Sequence, residues 1–280
     1  MRVAAGTQAP PREGLAARVR WAIHDGLVLT RRNLLRYTRI PTLLVFSTVQ
    51  PVMFVLLFRY VFGGAITALP PGARTYVNYL MPGIFVQTAI FGATQTGIGL
   101  AEDLASGIID RFRSLPTARS AVLAGRTTAD LFRNLFVVLL MTVVGYLVGF
   151  RFQEGPILAG LAIGLAVLVG FAFSWISAAI GLAIRELESV QAASFVWIFP
   201  LTFASSAFVP IEGMPGWLQA FARNNPVTIW ANTMRAFTLG DDFVRAIGET
   251  MGGLTLRSGL WVGALLAIFV PLSIRIYRRT

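Results

Sequence analysis

Few residues in this chain could perform a reaction. Its single histidine is His24, it has no cysteine, and all 24 of its lysine-plus-arginine positions are arginine. Paired histidines at helical spacing, which an intramembrane zinc protease needs, are excluded. Disulfides and thiolate metal sites are excluded as well. A serine nucleophile needs a base beside it, yet there is no GxSxG and no histidine inside any apolar stretch. A Walker A loop sets its lysine on the nucleotide phosphates. The chain therefore carries no such loop, and any ATP-driven process would need an ATPase on another subunit. No catalytic residue, metal ligand or bound cofactor is expected of the chain itself.

Three groups of polar residues remain. Asp130 and Arg133 stand at i, i+3 near one end of an apolar stretch. They read either as a paired or snorkelling terminus or as part of a relay. The segment AEDLASGIIDRFRSLPTARS, from Ala101 to Ser120, carries Glu102, Asp103, Asp110, Arg111 and Arg113, and Pro116 ends it. Its Leu104, Ile108, Phe112 and Leu115 fall at i, i+4, i+8 and i+11, which predicts an apolar stripe on a short helix. Periodicity leaves two readings open: an interfacial helix sealing the bilayer surface, or a knob that docks a partner. The third group lies inside apolar runs. Gln87, Phe91, Thr94 and Gln95 share one helical side. Gln191, Ser194, Ile198, Thr202, Ser205 and Ser206 share another, with Phe195 and Phe199 beside them. Amides and hydroxyls facing lipid are costly, so both seams should point inward, either to knit helices together or to line a cavity.

The elements that must position these residues are membrane spans. The chain is 55% apolar and only 13% charged, against about 25% charge for soluble domains. A net charge of +11 would point to nucleic acid in a soluble protein; here it reads as the positive-inside signal with attraction to anionic lipid, and no nucleic-acid partner is expected. A span needs about 20 apolar residues. Six segments qualify, at roughly 41–62, 79–101, 128–149, 156–183, 190–209 and 256–274, giving an all-α polytopic fold. Pro200 should kink the fifth. GxxxG pairs at Gly145/Gly149 and Gly160/Gly164 would permit close packing.

Orientation follows from counting arginines. Seventeen fall before span 1, between spans 2 and 3, after span 4 and after span 6; seven fall on the other side. The first side is therefore cytoplasmic and holds both termini. A signal peptide is not expected, because a polar and basic stretch of roughly forty residues comes first. Residues 1–40 form a cytoplasmic segment ending in an amphipathic helix. Val19, Ile23, Leu27, Thr30 and Leu34 lie on one face of it, with Arg32, Arg36 and Arg39 opposite, as in helices that lie in the interface. Residues 41–276 hold the spans, with the main cytoplasmic loop at 102–127 and the main external segment at 210–255; 277–280 form the cytoplasmic end. A helix from Pro215 to before Pro226 is predicted in the external segment. Its Trp217, Leu218 and Phe221 would either anchor at the interface or belong to a partly re-entrant helix.

Two stretches, GIIDRFRSLP (107–116) with Arg119 and Gly125-Arg126, and AFVPIEGMPGWLQAFARNNPVT (207–228), resemble type-2 ABC exporter permeases. With FSWISAAIGLAIRELESVQ (173–191), they are most similar to the bacterial daunorubicin-resistance type, and the resemblance spans nearly the whole chain. It implies two permease chains, either two copies or a copy and a sister chain, seated on two separate ATPase subunits that hold ATP and magnesium. It implies a coupling helix whose docking residues are Glu102, Asp103, Gly107, Ile108, Asp110, Arg111, Phe112, Arg113, Leu115 and Pro116. It implies a translocation path through spans 2 and 5, with Gln87, Phe91, Thr94, Gln95, Ser194, Phe195, Phe199, Thr202, Ser205 and Ser206, near a two-fold interface. Substrates would be amphiphilic drugs, lipids or glycolipids leaving across a bacterial cytoplasmic membrane. The rival readings are a non-transporting scaffold for an ATPase, and a secondary carrier. The span centres lack the carboxylates that many carriers use.

Overall fold

The computed structural model describes residues 28, 30, 31, 33, 35, 41–66, 69–107 and 119–279, and for 41–46 and 119–122 only the backbone. The described residues are overwhelmingly helical and contain no strand. Helix α1 (Pro41–Leu56) continues as a π-helical turn (Leu57–Phe62). It is followed by α2 (Tyr76–Ala105), α3 (Arg119–Leu147), α4 (Pro156–Ile184) and α5 (Leu187–Phe203). Three shorter helices, α6 (Gly216–Asn224), α7 (Pro226–Leu239) and α8 (Asp241–Ala246), precede the long α9 (Met251–Arg279). Four helical stretches are long and apolar enough to cross a membrane, in α2, α3, α4 and α9; the apolar helices Ser47–Phe62 and Leu187–Phe203 are shorter.

Local chemistry sets the helix starts. The Thr75 side chain accepts from the Asn78 N–H and opens α2 three residues earlier than the apolar run implies. Gly155 and Pro156 open α4. Asn225 caps α7 by accepting from the Val227 N–H, with Pro226 at the first helical position. Pro226 thus marks both the end of α6 and the start of a helix that apolar periodicity did not reveal.

Helix α2 is the axis of the molecule and is buried along nearly its whole length. It packs most extensively on α4, and also on α3, α5 and α7. Glycines make the α2–α4 contact close: a β-carbon at Gly97 would strike the Ser177 carbonyl, and one at Gly181 would strike the Gly97 carbonyl. Small residues of this kind let helix backbones meet in a membrane. The GxxxG pairs do not play this part. Gly149, Gly160 and Gly164 face open space, and Gly145 meets the side chains of Met81 and Phe150.

The stripe read across the cytoplasmic loop is also interrupted. Helix α2 ends at Ala105, Ser106 caps it, and Gly107 turns the chain with φ +67°. That left-handed conformation suits glycine. Leu104 therefore belongs to the end of α2 and packs against the cluster of Leu100, Leu123 and Leu182. Ile108, Asp110, Arg111, Phe112, Arg113, Leu115 and Pro116 lie outside the described residues. Of the amphipathic N-terminal face, Thr30 is buried and donates to the Gly125 carbonyl at 3.2 Å; Val19, Ile23, Leu27, Leu34, Arg32, Arg36 and Arg39 lie outside. On α6, Trp217 and Phe221 project outward. The deeply packed element of residues 210–255 is α7, held between α2, α4 and α9.

Candidate functional site

A cavity of about 380 Å³ opens between α1, α2, α3 and α5. Its wall on α2 runs from Gln87 to Glu102, about 22 Å at 1.5 Å per residue. Ser47, Gln50 and Pro51 of α1, Arg126 and Arg133 of α3, and Leu187 and Phe195 of α5 complete it. The lining is thus a mixture of aromatic and aliphatic surface with amides, hydroxyls and guanidinium groups, the pattern of a site for amphiphilic ligands.

Two lining groups stand out by what they lack. The Gln87 Oε1 and the Thr88 hydroxyl are buried with no hydrogen-bond partner. A buried polar atom without a partner costs roughly 1–3 kcal/mol. A cavity is where that cost has a use, because a bound group completes the hydrogen bond.

The cations of the wall are held by carboxylates. Arg126 Nη1 lies 2.7 Å from Asp103 Oδ2 and donates to the Gly99 carbonyl at 3.1 Å. The guanidinium fills the space a side chain at Gly99 would need. About two turns along α3, Arg133 Nε lies 3.5 Å from Asp130 Oδ1, and its Nη2 donates to the Gly92 carbonyl at 2.5 Å. The Thr96 hydroxyl donates to Asp130 Oδ2 at 2.5 Å. Asp130 and Arg133 are therefore an interior pair tied to α2, not a snorkelling terminus. Asp103 likewise turns inward, while Glu102 is exposed at the cavity edge. The Arg126–Asp103 pair joins the last turn of α2 to the first turns of α3, the two flanks of the loop between them.

The other seam divides. Phe195 reaches the cavity, and Phe199 lies 5.3 Å from Phe91, edge to face. Ser194 turns back to the Val190 carbonyl at 2.8 Å, and Thr202 is fully buried. Ser205 donates to the Thr202 carbonyl and accepts from the Ala207 N–H, while Ser206 belongs to a second polar centre, built on Arg235. This residue of α7 is completely buried. Its Nε donates to the Tyr79 carbonyl at 2.9 Å, Nη1 to Ser206 Oγ at 3.0 Å and Asn232 Oδ1 at 2.8 Å, and Nη2 to the carbonyls of Ser206 at 2.6 Å and Ala207 at 3.2 Å. The guanidinium also sits 3.6 Å over the Tyr79 ring. Burial pulls its pKa below the ordinary value, yet an arginine so fully bonded stays charged. The centre pins the chain leaving α5 to α2 and α7. Sequence reasoning counted Arg235 as an external loop charge, and Asn225-Pro226 was the local signal for the helix that carries it.

A family model described as ABC-2 type transporter matches residues 25–239. A daunorubicin resistance ABC transporter permease protein of Streptomyces coeruleorubidus is 36% identical over 250 residues, covering 88% of this chain and 83% of the relative. A probable doxorubicin resistance ABC transporter permease protein of Mycobacterium tuberculosis is 28% identical over 253 residues, 90% of this chain and 88% of the relative. A putative transport permease of Cyanophora paradoxa is 25% identical over 214 residues, 76% and 73% of the two chains. Matched over most of its length, and built of apolar helices around a partly polar cavity, this chain belongs to the ABC-2 type transporter family as a membrane permease subunit.

Proposed function

We propose that the chain is the transmembrane half of an ATP-driven exporter in a bacterial cytoplasmic membrane, moving amphiphilic drugs, lipids or glycolipids outward. In this reading α1 to α5 and α9 make six crossings, both termini are cytoplasmic, and a second permease copy or a sister chain completes the pore. Two ATPase subunits seat the loop between α2 and α3, and their closure on ATP drives the switch from inward- to outward-facing. The observation that carries the reading is the cavity. It is amphiphilic, holds buried polar oxygens without partners, and extends from inside the helix bundle to Glu102 and Arg126, which flank that loop.

The test is reconstitution. The chain alone, in proteoliposomes, is expected neither to hydrolyse ATP nor to move daunorubicin. Adding an ATPase subunit encoded beside it should give ATP-dependent movement of the drug. ATP hydrolysis by the purified chain would overturn the assignment. Binding of the ATPase without transport of any amphiphile would favour the scaffold.

A further inference from the structure

A run of eight phenylalanine rings leads out of the cavity. Phe91 and Phe195, in the cavity wall, lie 5.3 and 5.4 Å from Phe199. Phe199 stacks on Phe203 at 5.6 Å with the planes 6° apart. Phe203 meets Phe208 at 5.1 Å and Phe54 at 6.0 Å. Phe208 stacks on Phe58 at 4.6 Å and 7°, and Phe58 reaches Phe62 at 5.4 Å. Along α5 the rungs from Phe195 to Phe203 cover about 12 Å, and the cavity from Phe91 to Glu102 about 16 Å. With the last rungs on the π-helical turn, cavity and rings together extend about 30 Å, the depth of a bilayer's hydrocarbon core.

Bulk alone does not require this arrangement, since aliphatic side chains of similar volume fill a core as well. Nor are the rings all buried. Phe62, Phe199 and Phe203 are each 40–43% exposed, so part of each ring is accessible beside its neighbours. Offset aromatic stacks favour centroid distances of about 4.5–7 Å. A flat guest sliding along the ladder exchanges ring–ring contact for ring–guest contact of the same kind. Each step then lacks both a deep well and a high barrier, the condition for passage through several weak sites. A saturated chain gains only dispersion at each rung.

We propose that this ladder is the outer half of the translocation path, with Phe54, Phe58, Phe62, Phe203 and Phe208 as selectivity residues favouring fused aromatic amphiphiles over saturated ones. Gln87 and Thr88, beside the lowest rungs, take the guest's hydrogen-bonding group. The proposal rests on the export reading above.

The test uses the full chain in lipid nanodiscs and two photoprobes, an azidoacridine and a diazirine-bearing fatty alcohol, with cross-links mapped by mass spectrometry. The azidoacridine should label segments 52–62 and 195–208. Phe58→Leu, Phe199→Leu and Phe203→Leu should each lower that labelling about two- to tenfold, the worth of one aromatic contact, and leave fatty-alcohol labelling unchanged. Phe85→Leu, in the buried core pair with Phe150, should alter thermal unfolding but not the labelling pattern. Azidoacridine labelling that is absent, lies elsewhere or matches the fatty alcohol's would overturn the ladder as a selective path. Labelling seen only when the chain is monomeric would make the rings a subunit interface and overturn it too. Failure of ATP-dependent transport with correct ladder labelling would remove the export reading and leave the aromatic site standing; transport without ladder labelling would do the reverse.

Discussion

Among the described residues, three guanidinium groups are buried, in two different ways. Arg126 and Arg133, on the cavity wall, each face a carboxylate, Asp103 and Asp130. Arg235, away from that cavity, is surrounded by neutral dipoles and an aromatic face, with five acceptor contacts. In the first arrangement the Arg126–Asp103 pair joins α3 to α2, and the Arg133–Asp130 pair, within α3, is tied to α2 through Gly92 and Thr96, both beside the cavity. The second spreads one charge over three chain segments and leaves no donor free to exchange. The cavity wall thus rests on charge pairs, while the closed Arg235 centre holds its shape.

The largest expected effect falls on the rigid side. Arg235→Leu removes every one of those hydrogen bonds, including the ones to the carbonyls of Tyr79, Ser206 and Ala207. It should cost about 3–5 kcal/mol, seen as early thermal unfolding in detergent by the fluorescence of buried Trp230, which lies beside the same helix contacts. Arg235→Lys keeps the charge but loses the planar fork and should still cost about 1–3 kcal/mol. A lysine variant as stable as the native chain would erase the distinction, because charge alone would then suffice.

The ion pairs should separate from each other next. Asp130→Asn acts on side chains that are only 2–3% exposed, and should cost about 3 kcal/mol. Asp103→Asn acts on a pair that is 11% exposed at the cavity edge, and should cost about 1–2 kcal/mol after screening by water. The double variant Asp103→Asn/Arg126→Met should recover most of the loss, since the charge left alone is what destabilises. Equal costs at the two pairs, measured in the same unfolding assay, would show that the cavity does not hydrate its wall.

How much of this was legible beforehand varied with the physics of each region. Helices α2, α3, α4 and α9 announce themselves by uninterrupted apolar length, and the start of α2 was missed by three residues because Tyr76 and Asn78 look polar although both are buried. Helix α7 was not legible, since Thr228, Asn232, Thr233 and Arg235 read as an external loop until tertiary packing supplies their partners. The seam on α2 was legible because Gln87 and Thr94 are foreign to an apolar run. The seam on α5 was only half so: spacing set Ser194 and Ser206 on one helical side, but α5 ends at Phe203, so Ser194 bonds its own helix while Ser206 lies past the helix end and receives a guanidinium from α7. Thr88 escaped notice because one threonine in a span is ordinary; only its missing partner distinguishes it.

The smallest effect has the opposite sign, and it tests the contrast most finely. Gln87→Leu replaces a buried amide whose oxygen has no partner with an apolar group of similar size. Removing an unsatisfied polar atom is neutral or favourable, so the variant should unfold at the native temperature or slightly above it, a gain of up to about 1 kcal/mol. Azidoacridine labelling of segments 52–62 and 195–208 should fall about tenfold, the worth of one hydrogen bond of roughly 1.4 kcal/mol. At the rigid centre no substitution could trade in this direction, because each polar atom around Arg235 is already used. A loss of stability in Gln87→Leu would mean that the amide holds the helices together, and the cavity would then be as fixed as the region it is compared with. A gain in stability with weakened binding would show a polar group kept at a structural cost for a ligand.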